Sequence, residues 1–376
     1  MKIFFQLFIL LLPTQLTLHF WPDFAYVYGV RVDYLAPTIY LTEIVWMIVF
    51  FSWLIKEKKN IGLIRNYSRQ FLFLLIFAVI HIHHSLSPEV SFLKYIRVFE
   101  FLSIYIYVKN QKNLYQTVRL PLLISFVFIL ILSSFQILNK GSIGGVFYFF
   151  GERTFSQNSP GIALANIHGR ELLRPYATFG HPNAMAGYAL AVLFLIYKKG
   201  GIAGRCIAIL CLLIIFISFS QNAWLALILS PIIFYLAKSA NKGFEKFARI
   251  AATASLFLVL LKPQGLPREL LERIKLNNHA GKLISDNPIL GIGLGNFVKA
   301  SVGGLLQPVH NIFLLITAEA GIIGLLFFVY FISKRFNPKN SLALIAIVLT
   351  GFFDHYWVSL LQNFYLAAIV FGWYND

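Results

Sequence analysis

The sequence predicts an all-α polytopic membrane protein, and three observations lead there. Hydrophobic residues make up 58% and charged residues 12% of the 376 residues, and the mean hydropathy is +0.73. A soluble domain carries about 25% charged residues. Apolar runs of about 20 residues, the length that crosses a bilayer, recur along the chain. Basic stretches fall between alternate runs: KEKKN with Arg65 and Arg69, then Lys109, Lys112 and Arg119, then KKGGIAGR, then Lys238 to Arg249, then KRFNPK. This is the positive-inside pattern, and it accounts for the net charge of +17 with no nucleic-acid partner.

The first run, Lys2 to about Phe20, lacks a small-residue cleavage site in HFWPDFAYVYGV and is read as an uncleaved span with a cytoplasmic N-terminus. Further spans are expected near Pro37 to Ile55, Gln70 to Leu86, Val90 to Val108, Leu120 to Leu138 and Asn183 to Tyr197. Ile202 to Phe219 and Gln221 to Ala237 follow, joined by the tight turn SFSQNAW, then Ile250 to Leu261 and Val309 to about Ser333. A final pair is broken at DHYWV. The total is about twelve spans in one transmembrane domain, residues 1–376, with both termini cytoplasmic. Cys206 and Cys211 share one apolar run and suggest neither a disulfide nor a metal framework.

Two long loops, residues 139–182 and 262–308, face outward on this topology. Loops of that length are uncommon unless functional or disordered. Their apolar stretches, GGVFYFFGERTF and NPILGIGLGNF, argue against disorder. They are expected to fold onto the membrane surface as lids or short interfacial helices.

The stretch RPYATFGHPNAMAGYAL, Arg174 to Leu190, organises the functional reading. Pro182 marks a helix start, and the Gly-His-Pro-Asn turn with His181 and Asn183 directs free N–H groups toward Arg174. A helix N-terminus beside a guanidinium suits an anion such as phosphate. Arg153 and Arg170 lie in the same loop, where pairing with lipid headgroups, Glu152 or Glu171 explains them as well as ligand binding does. His310 follows Pro308 at the mouth of another helix, where a neutral imidazole can act as a general base or simply as a hydrogen-bonding group. Asn311 beside it can orient a substrate or cap the helix. Glu319 lies at hydrocarbon depth, and Arg97 and Glu100 share a helical face at i, i+3 spacing. Such groups point to function or to a structural ion pair; Glu43 is open in the same way. His81, His83 and His84 lack partners at metal-ligand spacing, so no metal is expected. GIGLGNF lacks the strand–turn–helix context of a nucleotide fingerprint.

Taken in order, GRELLRPYATFGHPNAMAGYAL, SQNAWLALILSP, RIKLNNHAGKLISDNPILGIGLGNF and HNIFLLITAEAGIIGL resemble the O-antigen ligase and polymerase-like membrane proteins of bacteria over about Gly151 to Leu326. The resemblance implies a membrane-embedded, inverting glycosyltransferase that uses neither metal nor cofactor. It would move a glycan from undecaprenyl diphosphate to a hydroxyl of a lipid-anchored acceptor sugar on the outer face of the inner membrane. It assigns Arg174 and Arg273 to the diphosphate and His310 to activation of the acceptor hydroxyl, with Arg97 matched through a more diffuse motif. Arg170 stays with the diphosphate set, and Asn311, Glu319, His181 and Asn183 with the supporting residues. The chain departs from the family pattern at Gln221 and Asn222, where an arginine is usual, and at Asn277, where an aromatic is. Ligase is placed ahead of polymerase, and a lipid-linked glycan flippase is the alternative of another class. Its related halves are absent from the sequence, although Glu319, Glu100 and Arg97 are the residues it would use.

Overall fold

A computed structural model describes residues 1–56, 62, 65–167, 169–237, 267–301, 303–337 and 339–373. The order of elements among them begins with helix α1 (Lys2–Leu11), strands β1 (Thr17–His19), β2 (Tyr26–Val27), β3 (Val30–Arg31) and β4 (Thr38–Tyr40), and helix α2 (Leu41–Lys56). Helices α3 (Ser68–His84), α4 (Pro88–Lys109) and α5 (Leu114–Asn139) follow, then β5 (Leu164–Ile167) and β6 (Arg170–Leu173). The remainder is helical: α6 (Pro182–Ile196), α7 (Ile202–Ile217), α8 (Gln221–Ala237), α9 (Pro267–Asp286), α10 (Ile312–Ser333), α11 (Ser341–Gly351), α12 (Tyr356–Ser359) and α13 (Leu361–Gly372).

The helical character agrees with the sequence, but the count of about twelve spans is met only in part. Two described helices are both long and apolar enough to cross a membrane, Leu114–Asn139 with 26 residues and Ile312–Ser333 with 22. Seven more apolar helices have 10–17 residues. Large side chains such as Leu72, Ile131, Phe216, Ile228 and Leu326 are exposed on the bundle, as lipid-facing residues are. The span expected at Ile250 to Leu261 lies outside the described residues.

The first expected span is a correction. Its helix stops at Leu11 because Pro13 cannot donate to the helical ladder and the Thr14 hydroxyl bonds to the Leu11 carbonyl at 2.8 Å. Residues 17–40 instead form two antiparallel hairpin pairs, β1 with β4 and β2 with β3. Tyr28 Oη donates to the Ser301 carbonyl at 2.9 Å, and Lys299 Nζ to the carbonyls of Phe24 and Tyr26 at 3.1 Å each, so this lid is fastened to the segment before α10.

Both long loops carry regular structure. The first holds a 3-10 turn, Gly145–Phe150, and the β5–β6 hairpin; the second holds the 20-residue helix α9, longer than the short interfacial helix expected.

At the centre, α6 is buried along its whole length and packs against α7, α8, α11 and α13. Its small residues, Ala184, Ala186, Gly187, Ala189 and Ala191, let neighbouring backbones approach closely. A Cβ at Gly187 would stand 2.6 Å from Cζ of Tyr356, so α6 and α12 meet there without room for a methyl group.

α10 is broken at Gly321, whose φ is +64°. The glycine-rich segment after α9 closes the break: Ile292 N–H donates to the Ala318 carbonyl at 3.1 Å, Gly293 N–H to Glu319 at 2.8 Å, and Ile322 N–H to Pro288 at 2.9 Å. GIGLGNF is thus a backbone splice that satisfies a helix interrupted inside an apolar span.

Candidate active site

A cavity of about 1550 Å³ opens among the loop-bearing ends of the helices and continues between α3, α4, α10 and α13. Followed along α10, its lining changes from His310 and Ile312 through Glu319 to Ile323, Phe327 and Phe331. The chamber therefore has a charged mouth and an apolar body.

The mouth is built from three short segments. In the first, His181 caps α6 by accepting the Asn183 N–H at Nδ1, 3.1 Å away, and Pro182 begins the helix as the sequence predicts. Arg174 Nη2 donates to Asn183 Oδ1 at 2.5 Å, and its Nε to the Ser218 carbonyl at 2.9 Å. In the second, Asn311 caps α10 by accepting N–H groups of Phe313 and Leu314 at 2.9 and 3.0 Å, and donates to the Phe352 carbonyl at 3.2 Å. That cap fixes His310 at the helix mouth. The third is the turn between α11 and α12, which carries Asp354 and His355.

Asp354 joins the other two segments. Its Oδ2 accepts from Asn183 Nδ2 at 3.1 Å, and its Oδ1 lies 3.4 Å from His310 Nδ1 and accepts the His355 N–H at 2.8 Å. The result is a continuous polar chain from Arg174 through Asn183 and Asp354 to His310. Burial on its own raises the Asp354 carboxyl, but the hydrogen bond and charge of His310, with the charges of His355 and His181, outweigh it and hold the group well below the usual carboxylate range. An ionised carboxylate only accepts, so the His310 nitrogen that faces it, Nδ1, is a protonated one, and Nε2 is turned away from Asp354. Burial pushes His355 down to about 4 and His181 down to about 3.

Two more arginines line the mouth. Arg273 Nη1 donates to the Phe353 carbonyl at 3.2 Å, next to Asp354, and Arg153 Nη1 to the Gly180 carbonyl at 2.9 Å, next to His181. Tyr34, from the lid, meets His355 edge-on with ring centroids 5.9 Å apart, and burial followed by Asp354 pushes its hydroxyl up to about 12.

The structure brings Arg174, His181, Asn183, Arg273, His310 and Glu319 into one cavity and leaves Arg170 out. Arg170 opens the exposed β5–β6 hairpin opposite Ile167 and does not line the cavity. Arg97 lines it but pairs with Glu43 and, at 3.2 Å, with Glu100, and donates to the Thr38 carbonyl at 2.5 Å. Glu319 accepts the Phe297 N–H at 3.1 Å. Gln221, Asn222 and Asn277, the departures from the family pattern, do not line the cavity. His81 is buried against the carbonyls of Leu290 and Glu319, 2.8 and 3.1 Å away, while His83 and His84 are exposed.

Asp354, His355 and Tyr34 are not singled out by the sequence analysis. The available signal is Asp354, an aspartate between two apolar helices. His310, Asp354 and His355 bring one ligand-type atom each within 4.8 Å of one another. Both Asp354 oxygens, however, already accept hydrogen bonds.

Comparison with curated proteins gives no match. Residues 184–329 match the family model described as O-antigen ligase. The matched stretch contains Arg273 and His310, while Arg174, Asn183 and Asp354 lie outside it. Over that stretch, which lies in a bundle of mostly apolar helices, the chain is similar to the O-antigen ligase family.

Proposed function

We propose that the protein transfers a glycan from undecaprenyl diphosphate to a hydroxyl of a lipid-anchored acceptor sugar, as a ligase on the outer face of the bacterial inner membrane. The observation that carries this reading is the chain Arg174–Asn183–Asp354–His310 at the charged mouth of a cavity whose body is apolar. The isoprenoid tail occupies the apolar body, and the diphosphate meets Arg174 and Arg273, with Arg153 beside them.

His310 Nε2 takes the hydroxyl proton of the acceptor as its oxygen attacks the anomeric carbon from the face opposite the diphosphate. The new glycosidic C–O bond forms, the bond from the anomeric carbon to the phosphate oxygen breaks, and its electron pair leaves with undecaprenyl diphosphate. Configuration inverts. The arginines stabilise charge that develops on the leaving oxygen, the role a metal would otherwise fill. Positive charge preorganised there acts on the transition state more than on the bound donor, which is the condition for raising the rate.

The splice at Gly321 favours this enzyme over a flippase. The backbone groups freed by the break in α10 bond to residues 288–293 and are not presented to a cargo, unlike the broken helices of transporters.

The test is transfer by purified protein in nanodiscs, with undecaprenyl-diphosphate oligosaccharide as donor and His310→Ala alongside. Core oligosaccharide on lipid A and a second lipid-linked repeat serve as acceptors. The expected result is release of undecaprenyl diphosphate with glycan re-anchored on the lipid A acceptor, absent in the variant. Extension of the lipid-linked repeat alone would make the protein a polymerase. Bound donor that is never cleaved, yet crosses sealed vesicles, would overturn the enzyme.

A further inference from the structure

Among the described residues that line the cavity, Lys94 is a cation apart from the arginines and histidines of the mouth and from the Arg97 pairs. Lys94 lies on α4, lines the cavity, and forms no hydrogen bond or ion pair with another described residue. Its placement is specific. The aliphatic stem runs over Gly295, where φ is +77° and an added Cβ would stand 2.6 Å from Lys94 Cγ and 2.7 Å from Cε. Glu319 is the carboxylate within electrostatic reach, and it is already held by the Phe297 N–H.

The level of Lys94 is set by Glu319, two turns below Ile312 and therefore about 10 Å along the helix from the His310 end. One further turn down, the lining becomes Ile323 and Phe327. Lys94 thus stands where the charged mouth gives way to the apolar body. A prenyl diphosphate sugar with its anomeric carbon at His310 and its tail in the apolar body passes this level with its phosphates.

We propose that Lys94 binds the lipid-proximal phosphate of the donor, while Arg174 and Arg273 hold the sugar-proximal one. This rests on the glycosyl transfer proposed above. Lys94 then meets the phosphate that undecaprenyl diphosphate and undecaprenyl monophosphate share, and preference for the diphosphate falls to Arg174 and Arg273. Because the lipid-proximal phosphate keeps its bonds during transfer, its contact is made equally in ground and transition states and acts on donor binding.

The experiment measures donor and acceptor KM and kcat for wild type, Lys94→Met and Lys94→Arg, together with binding of undecaprenyl diphosphate and undecaprenyl monophosphate. Lys94→Met should raise the donor KM about tenfold or more with little change in kcat and none in acceptor KM. It should also weaken binding of undecaprenyl diphosphate and of undecaprenyl monophosphate alike, keeping the preference for the diphosphate, and Lys94→Arg should recover part of the donor KM and of both affinities. The double variant Lys94→Met/Glu319→Gln should stay impaired; recovery there would assign Lys94 to balancing Glu319 and overturn the proposal. Unchanged donor KM with unchanged binding of both carriers would overturn it as well, as would a loss confined to the diphosphate. Absence of transfer by the wild type would instead sink the glycosyl transfer itself, which separates the two failures.

Discussion

Asp354 Oδ1 lies 3.4 Å from His310 Nδ1 while Oδ2 of the same carboxylate holds Asn183, the residue that Arg174 grips from the other side. One aspartate therefore couples the orientation of the base to that of the anion-binding arginine. Removing its charge while keeping its shape should leave the fold intact and let His310 adopt the wrong tautomer. Asp354→Asn is expected to lower the transfer rate by roughly 100-fold or more, by analogy with the orienting carboxylate of hydrolytic triads. The check is single-turnover transfer, with the melting temperature recorded to separate misfolding from lost orientation.

Arg174 makes a planar, two-sided contact, Nε to the Ser218 carbonyl and Nη2 to Asn183. A lysine keeps the charge but not the fork. Arg174→Ala should cost on the order of 100-fold or more in kcat, and Arg174→Lys should recover only a minor part. Full activity in the lysine variant would mean that a point charge suffices, and the geometric role of Arg174 would be withdrawn.

How far the sequence reveals this arrangement depends on whether a local signal exists. Pro182 and Asn311 act through their own helix ends, so both helix starts and the positions of Arg174 and His310 are legible. The pairing of Arg97 with Glu100 follows from i, i+3 spacing, but its partner Glu43 comes from another helix and has no local signature. Asp354 is hidden for the opposite reason. It stands in a short turn between two apolar helices, and the two side chains it joins, His310 and Asn183, are 44 and 171 residues away in sequence. The lid of residues 17–40 is missed because hydropathy alone carries the first span through Pro13, where backbone chemistry ends it.

Metal dependence offers a third test. His310, Asp354 and His355 are close enough to attract an ion, with ligand atoms within 4.8 Å. Transfer by arginines and a histidine base should be unaffected by EDTA or by removal of divalent ions. Loss of transfer on chelation, restored by adding back one metal, would replace His310 as base with a metal-bound hydroxyl.

His355 gives a pH dependence whose sign is fixed. Burial holds its folded value at about 4, below the roughly 6.5 of the unfolded chain. Between those values the unfolded chain binds a proton that the folded chain excludes, so stability is full above about 6.5 and falls with pH, by up to about 1.4 kcal/mol per unit. Asp354, with its value depressed, loses its own contribution only at still lower pH. The melting temperature should therefore fall from pH 7 to pH 5, and His355→Gln should flatten that slope. His181 contributes in the same direction, so some slope remains in the single variant.

The break in α10 gives the last prediction. Gly321 has φ +64°, and a Cβ there would stand 2.6 Å from the Leu290 nitrogen, against backbone that cannot rotate away. An alanine meets both a strained conformation and a collision, a combination that costs about 1–3 kcal/mol for the conformation alone. If it instead straightens the helix, the Ala318 and Glu319 carbonyls return to the helical ladder, and Ile292 and Gly293 lose their acceptors. Residues 288–297 would then shift, carrying with them Gly295, which seats Lys94, and Phe297, which holds Glu319. Gly321→Ala should accordingly lower the melting temperature and also raise the donor KM, while Gly303→Ala, at a positive φ with open space around it, should lower stability without touching the donor KM. Equal effects of the two substitutions on the donor KM would show that the splice does not position the cavity wall.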